Sequence, residues 1–417
     1  MRQASFPLRN LRGVLIILIL SFHSFSAYIV SQPAETPPFD RAPYDWIAFP
    51  IIDNARWLGF DLYCAFQFLY LMQFMFLLSG LFVWQSLLRR GWRGYLLQRL
   101  VRLGVPFLLG VYVLIPLAYY ATYRATAVDP AWSSYWSHWI ALPVTPTGPM
   151  WFLWFLTALN VAVVALYCLW PGSNALLTSP LLGKAKSNPG VLFLGIVVVS
   201  AITYLPMSAF YSPWKWVGVG PFEVQAAFAP QYALYFVVGL ALGGCGYDRG
   251  LLDADGMLVK RWPWWAAGSF AAFLLWIIPT AVIVKEVAPA WNGGFQLAGD
   301  LGLVLFAAAT CFAMMAVFLR YAAAHWPVID SISDNAYGIY FFQYPFVLWL
   351  QFALLGIDLP AVVKAPVVFL AALLLSWGAS VVAIRLIANA RQFMEREAVS
   401  EPSSSANGRV AESNFRE

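Results

Sequence analysis

The chain reads as an all-α protein, a polytopic transmembrane bundle of about ten spans with both termini on the cytoplasmic side. Three observations carry that expectation. Apolar residues make up 61% of the sequence and charged residues only 11%, too little polar surface to cover a soluble globule. Apolar runs long enough to cross a bilayer recur along nearly the whole length. The basic residues are shared unequally between alternate connections, as the positive-inside rule requires.

The apolar runs lie near residues 12 to 30, 66 to 88, 103 to 122, 149 to 170, 190 to 206, 230 to 246, 263 to 284, 296 to 319, 336 to 355 and 361 to 386. With the N-terminus inside, the inner segments hold 19 Arg and Lys residues and the outer segments 6, Lys364 among them. The first run follows a basic start but is long for a signal peptide and contains a His, so it reads as an uncleaved helix. Residues 1 to 390 are therefore expected to form one ten-span domain. Residues 391 to 417, rich in Ser, Glu, Asn and Arg with little to bury, are expected to be a disordered cytoplasmic tail.

The connections narrow the function. The first outer loop, residues 31 to 65, carries Glu35, Asp40, Asp45, Asp53 and Asp61 and is expected to cap or line an outward opening. The outer loops at 123 to 148 and 207 to 229 are rich in Trp, Tyr, Pro and Gly, a composition that suits carbohydrate stacking and interfacial anchoring equally. Cys64, Cys168, Cys245 and Cys311 stand alone, with no spacing that suggests a metal or redox centre, so no metal is expected. The net charge of +5 comes without the basic soluble face that nucleic acid requires. The lipid bilayer is the expected partner.

Chemistry concentrates first in residues 9 to 28, where Arg12 and His23 stand eleven residues apart in an apolar helix. Eleven steps of about 100° bring both to one face, separated by roughly 16 Å. With Arg12 at the inner surface, His23 falls near the midplane, where an ionisable group is a candidate functional residue. A hydrogen-bonded core histidine is the alternative. Ser79-Gly80 closes the second run, and a small pair there also suits close helix packing. Arg99 and Arg102 stand one helical turn apart, so that two guanidinium groups could clamp a phosphorylated ligand or hold anionic lipid. His138 and His325 read as ordinary loop residues.

Together these stretches resemble a family. Arg12 with His23, Ser79-Gly80, Arg99 with Arg102 and Pro106, Gly-Pro-Met-Trp-Phe-Leu at 148 to 153, Phe-Val-Val-Gly at 236 to 239 and Ser-Asp-Asn-Ala-Tyr-Gly-Ile-Tyr at 333 to 340 follow the order of the acyltransferase-3 family. The resemblance covers nearly the whole chain. It implies an integral-membrane O-acyltransferase of the bacterial inner (plasma) membrane that moves an acyl group, often acetyl, from cytoplasmic acyl-CoA to a hydroxyl of a glycan or other small acceptor. No permanently bound cofactor is implied, with acyl-CoA, typically acetyl-CoA, as co-substrate. By the resemblance His23 is the catalytic base, Arg12 its catalytic partner on the same face, and Arg99 with Arg102 the acyl-CoA contacts. Ser79, Trp151, Tyr337 and Gln343 are candidate pocket-lining residues. Many members carry a His where this chain has Gln343, which can hydrogen-bond but cannot titrate.

A base to take the hydroxyl proton is what ester formation from a thioester needs, and His is the usual choice near pH 7. The alternative function is a secondary transporter, which also holds ionisable groups at the midplane. The spans offer it almost no acidic residue, with Asp300 the main exception.

Overall fold

The computed structural model describes residues 5–34, 36–126, 129–170, 187–213, 215–246 and 250–400. Among them eight helical segments are long and apolar enough to cross a membrane, and the chain is an integral multi-pass membrane protein. Helix α1 (Ser5–Phe25) is uninterrupted, with Pro7 in its first turn, where a missing N–H leaves no helical bond unmade. The second span is built from α2 (Leu58–Phe68), α3 (Leu71–Leu81) and the start of α4 (Val83–Arg99). It therefore begins earlier than the run at 66 to 88, and the first outer loop is correspondingly shorter.

Gly91, with φ 69° and ψ 165° inside α4, is where the chain reverses. Packing against α8 (Trp151–Leu169) shows it. Before Gly91, Phe76 meets Phe152 and Trp84 meets Tyr167, so the numbers rise together. After it, Tyr95 bonds Asn160 and Gly110 approaches Met150, so they run oppositely. A glycine suits the left-handed backbone that this turn demands.

The third span then widens twice into π-helical turns, Leu100–Gly104 and Gly110–Leu114, on either side of α5 (Val105–Leu109), before α6 (Ile115–Thr126). Each π turn ends just before a proline, Pro106 and Pro116. A proline has no N–H to donate, and its ring clashes with the carbonyl four residues back. The N–H groups of Val105 and Ile115 bond five residues back instead, to Leu100 and Gly110. Four residues before Pro106 stands Arg102, whose carbonyl is thereby freed.

Helix α7 (Trp132–Ala141) follows on the outer side. Its start is organised by Asp129, which accepts from the Ala131 N–H at 3.0 Å and from the Ser134 hydroxyl. Those bonds hold the Asp129 carboxyl below its ordinary range. His138 lies on this helix rather than in a loop, with Nδ1 2.7 Å from the Ser134 carbonyl oxygen. Next come α9 (Pro189–Phe210) and a hairpin of β1 (Trp216–Val219) and β2 (Phe222–Gln225), which the apolar runs did not foreshadow. The remaining elements are α10 (Ala229–Cys245), α11 (Met257–Lys260), α12 (Trp262–Val284), α13 (Asn292–Tyr321), α14 (Pro327–Leu354) and α15 (Ala361–Ser400). The last helix continues past the expected boundary at 390, and the tail beyond Ser400 lies outside the described residues.

Helices α3 and α10 cross at backbone contact, because added Cβ atoms at Gly80, Gly239 and Gly243 would overlap the backbone of Phe236, Leu77 and Leu81. In a bilayer, where apolar burial does not favour one helix contact over a lipid contact, such close approach supplies the attraction. Leu77 pairs with Gly239 and Leu81 with Gly243, so the two run parallel. Helices α1 and α14 are also parallel, with Arg12 beside Ser333 and His23 beside Tyr344. Parallel neighbours require an odd number of crossings between them. Among the described residues, that condition makes α10, only 17 residues long, a crossing segment, and it gives α14 the same direction as α1.

Candidate active site

The site grows from the α1–α14 pair. At its first end, the Ser333 hydroxyl donates to the Arg9 carbonyl at 2.8 Å, while the Arg12 guanidinium donates to the Ser333 carbonyl at 2.7 Å. Arg9 also pairs with Asp334 at 2.6 Å and bonds the Asp330 carbonyl at 3.2 Å. Gly13 leaves room for Ser333, whose hydroxyl a Cβ there would overlap. Arg12 remains exposed. His325, near the start of α14, is tied to Asp330 at 3.1 Å.

One turn along α14, the Tyr337 hydroxyl donates to the Arg102 carbonyl at 2.7 Å. This is the carbonyl released by Pro106. Ser333 and Tyr337 stand four residues apart on one face, so α14 brings Arg12 and the Arg102 turn within one helical turn of each other. The π geometry departs from the simple one-face relation expected of Arg99 and Arg102. Arg99 lies over the Tyr95 ring at 5.1 Å, with its Nε buried and unpartnered, while Arg102 is exposed.

At the other end of the pair stands His23, in the last turn of α1. Its ring packs nearly perpendicular to that of Tyr344, with centroids 5.5 Å apart, and to that of Phe22 at 5.7 Å. Gln351 donates to the His23 carbonyl at 2.9 Å and to the Ser24 carbonyl at 3.1 Å, satisfying acceptors that a helix end leaves open. Gln343 lies against the imidazole, near enough to interact with it. It is fully buried, yet neither its Nε2 nor its Oε1 has a hydrogen-bond partner, and His23 Nδ1 is likewise buried and unpartnered. His23 as a residue keeps some accessible surface.

The outer side covers this end. The Tyr344 hydroxyl lies 3.3 Å from that of Tyr119, which donates to the Ile47 carbonyl at 3.0 Å, and Trp46 packs edge-on against Tyr119. Gly148, with φ 47°, turns the chain so tightly against Tyr344 that a Cβ would reach within 2.9 Å of its ring. The Tyr340 hydroxyl bonds the Pro149 carbonyl. Two acidic residues, Asp53 of the first loop and Asp61 in the first turn of α2, hold the frame. Asp61 accepts from the Val30 and Ser31 N–H groups, and Asp53 forms a buried ion pair with Lys364 at 2.8 Å. Lys364 is thus a core residue of α15, not a loop cation.

Ser79 and Trp151 stand apart from His23. Ser79 is part-buried beside Gly80 at the α3–α10 crossing. Trp151 packs among Phe76, Phe152, Trp216 and Tyr232. Asp300, the acidic residue on which a transporter would depend, accepts from Ser208 at 2.8 Å and Gln296 at 3.0 Å. An open recess of about 380 Å³ lined by Arg261, Trp264 and Trp265 involves none of these residues. Tyr119, Tyr344 and Gln351 were not singled out from the sequence. The polar series Gln343, Tyr344 and Gln351 in the otherwise apolar second half of α14 is the signal that could have found the last two.

Among curated proteins and among solved structures, none matches the chain. A family model described as an acyltransferase domain matches residues 8–383, a span that runs from α1 through most of α15 and takes in every site residue above. The chain belongs to the acyltransferase-3 family of membrane acyltransferases.

Proposed function

We propose that the protein is an O-acyltransferase of the bacterial inner membrane that moves an acyl group, acetyl in the simplest case, from cytoplasmic acyl-CoA to a hydroxyl of a glycan or other small acceptor. The observation that carries this reading is the layout of the α1–α14 pair. Exposed guanidinium groups stand at one end, and an imidazole with an unpartnered amide stands at the other. A CoA thioester has the matching layout, with phosphates at one end of an extended arm and the reactive carbonyl at the other. Arg12 and Arg102, with Arg99 beside them, serve the phosphates through charge-assisted bonds, and His23 serves the carbonyl.

In the reaction the acceptor oxygen attacks the thioester carbonyl carbon while His23 takes the hydroxyl proton. The tetrahedral intermediate collapses with cleavage of the carbon–sulfur bond. The departing thiolate takes the proton from the imidazolium, leaving ester, CoA thiol and neutral His23. Arg12 cannot replace the base, because its guanidinium stays protonated.

The test follows labelled acyl transfer from acyl-CoA in membranes holding matched amounts of wild type and His23→Gln. Glutamine keeps bulk and hydrogen-bonding capacity but has no basic nitrogen, so transfer falls by about 10² to 10⁴. Turnover near wild type would return His23 to a packing role. A double Arg99→Ala, Arg102→Ala variant separately weakens acyl-CoA binding to purified protein, and unchanged affinity would remove both from the donor site.

A further inference from the structure

His23 and Gln343 share a feature that packing alone does not explain. A buried polar atom without a partner is costly, and His23 Nδ1 and both amide atoms of Gln343 are three such atoms, on side chains that adjoin each other. The flanking contacts fix each group without satisfying it. Gln351 binds the His23 backbone, not its ring, and the Tyr344 ring packs nearly perpendicular to the imidazole while its hydroxyl reaches toward that of Tyr119. The carboxamide of Gln343, next in the chain to Tyr344, is the polar side-chain group that adjoins the imidazole.

We propose that Gln343 is the positioning residue for His23, its Oε1 biasing Nδ1 toward the protonated form at rest and accepting a full hydrogen bond from Nδ1–H during the reaction. That bond selects the tautomer whose free lone pair is on Nε2 and turns that nitrogen toward the acceptor hydroxyl. The contact tightens from a slack resting geometry, as catalytic hydrogen bonds commonly do on substrate binding. A neutral amide suffices, because the requirement is orientation and choice of tautomer; an asparagine fills the corresponding place in some cysteine–histidine sites. The pairing rests on His23 acting as the base, but its physical content is a property of the imidazole that exists without turnover.

The experiment uses ¹⁵N-histidine-labelled full-length protein in detergent, with the His23 signals identified by their loss in His23→Ala. The chain has only three histidines, so the assignment is direct. In wild type His23 shows predominantly the Nδ1–H tautomer. In Gln343→Met, similar in size but without the amide oxygen, the signals move toward a mixed population. Gln343→Glu, which keeps an acceptor oxygen at the same reach, restores the Nδ1–H form. In the transfer assay Gln343→Met lowers kcat by about ten- to a hundredfold, below the full worth of the base, with KM for acyl-CoA unchanged. Identical His23 signals in wild type and Gln343→Met would overturn the proposal even if transfer were normal. An absence of transfer in wild type would instead overturn the proposed function, while the tautomer still decides the role of Gln343.

Discussion

The two ends of the α1–α14 pair are built by the same helices and treated in opposite ways. At the first, Arg9, Arg12, Ser333 and Asp334 tie the two helices together by bonds between side chains and backbone, with Arg9 Nε left buried and unpartnered. At the second, the backbone carbonyls of His23 and Ser24 are satisfied by Gln351 while the side chains of His23 and Gln343 are not. The first end aligns two parallel helices in fixed register. The second inherits that register and leaves side-chain atoms of His23 and Gln343 without partners. On the proposed function, assembly and chemistry are separated by about three helical turns.

The largest effect should come from the frame around the second end. Lys364 and Asp53 are each about 3% exposed at their side chains, and removing one partner of such a pair typically costs about 3–5 kcal/mol. Lys364→Met should therefore lower the thermal midpoint of the detergent-solubilised protein substantially. Asp53→Leu with Lys364→Met should recover much of it. At the first end, Ser333→Leu forces extra volume against Gly13, where overpacking costs about 1–3 kcal/mol. Activity there should fall in step with the folded fraction, whereas His23→Gln loses activity without losing fold. A divergence of the two at Ser333 would mean that this end takes part in chemistry.

Smaller effects sharpen the contrast. Pro106→Ala supplies an N–H that can reclaim the Arg102 carbonyl from Tyr337, so acyl-CoA affinity should change while the thermal midpoint moves little. Unchanged affinity, measured on purified protein, would show that the π turn does not shape the donor site. Asp334→Asn should cost less than about 1 kcal/mol, because an ion pair with an exposed partner contributes little.

How much of this was legible in the sequence differs by residue. Arg12 and His23 share a face because helical periodicity alone requires it, and the apolar runs outline the bundle. Pro106 implied a freed carbonyl at Arg102, a local consequence of proline geometry. What occupies that carbonyl was not legible, because Tyr337 lies more than two hundred residues away and reaches it only through tertiary packing. The same holds for Gln343, whose significance comes from adjoining an unpartnered imidazole. Lys364 was misplaced for a related reason. A basic residue at the start of an apolar run reads as a loop cation until the aspartate that pairs with it is seen.

The separation of the two ends is tested most directly by an acyl-CoA analogue with a diazirine in its acyl chain, photolysed on the wild-type protein and mapped by mass spectrometry. The label should fall on residues 340 to 351 of α14 and on α1 around His23, with competition by excess acetyl-CoA. Labelling confined to the recess at Arg261, Trp264 and Trp265, or to the first end around Ser333, would contradict the account.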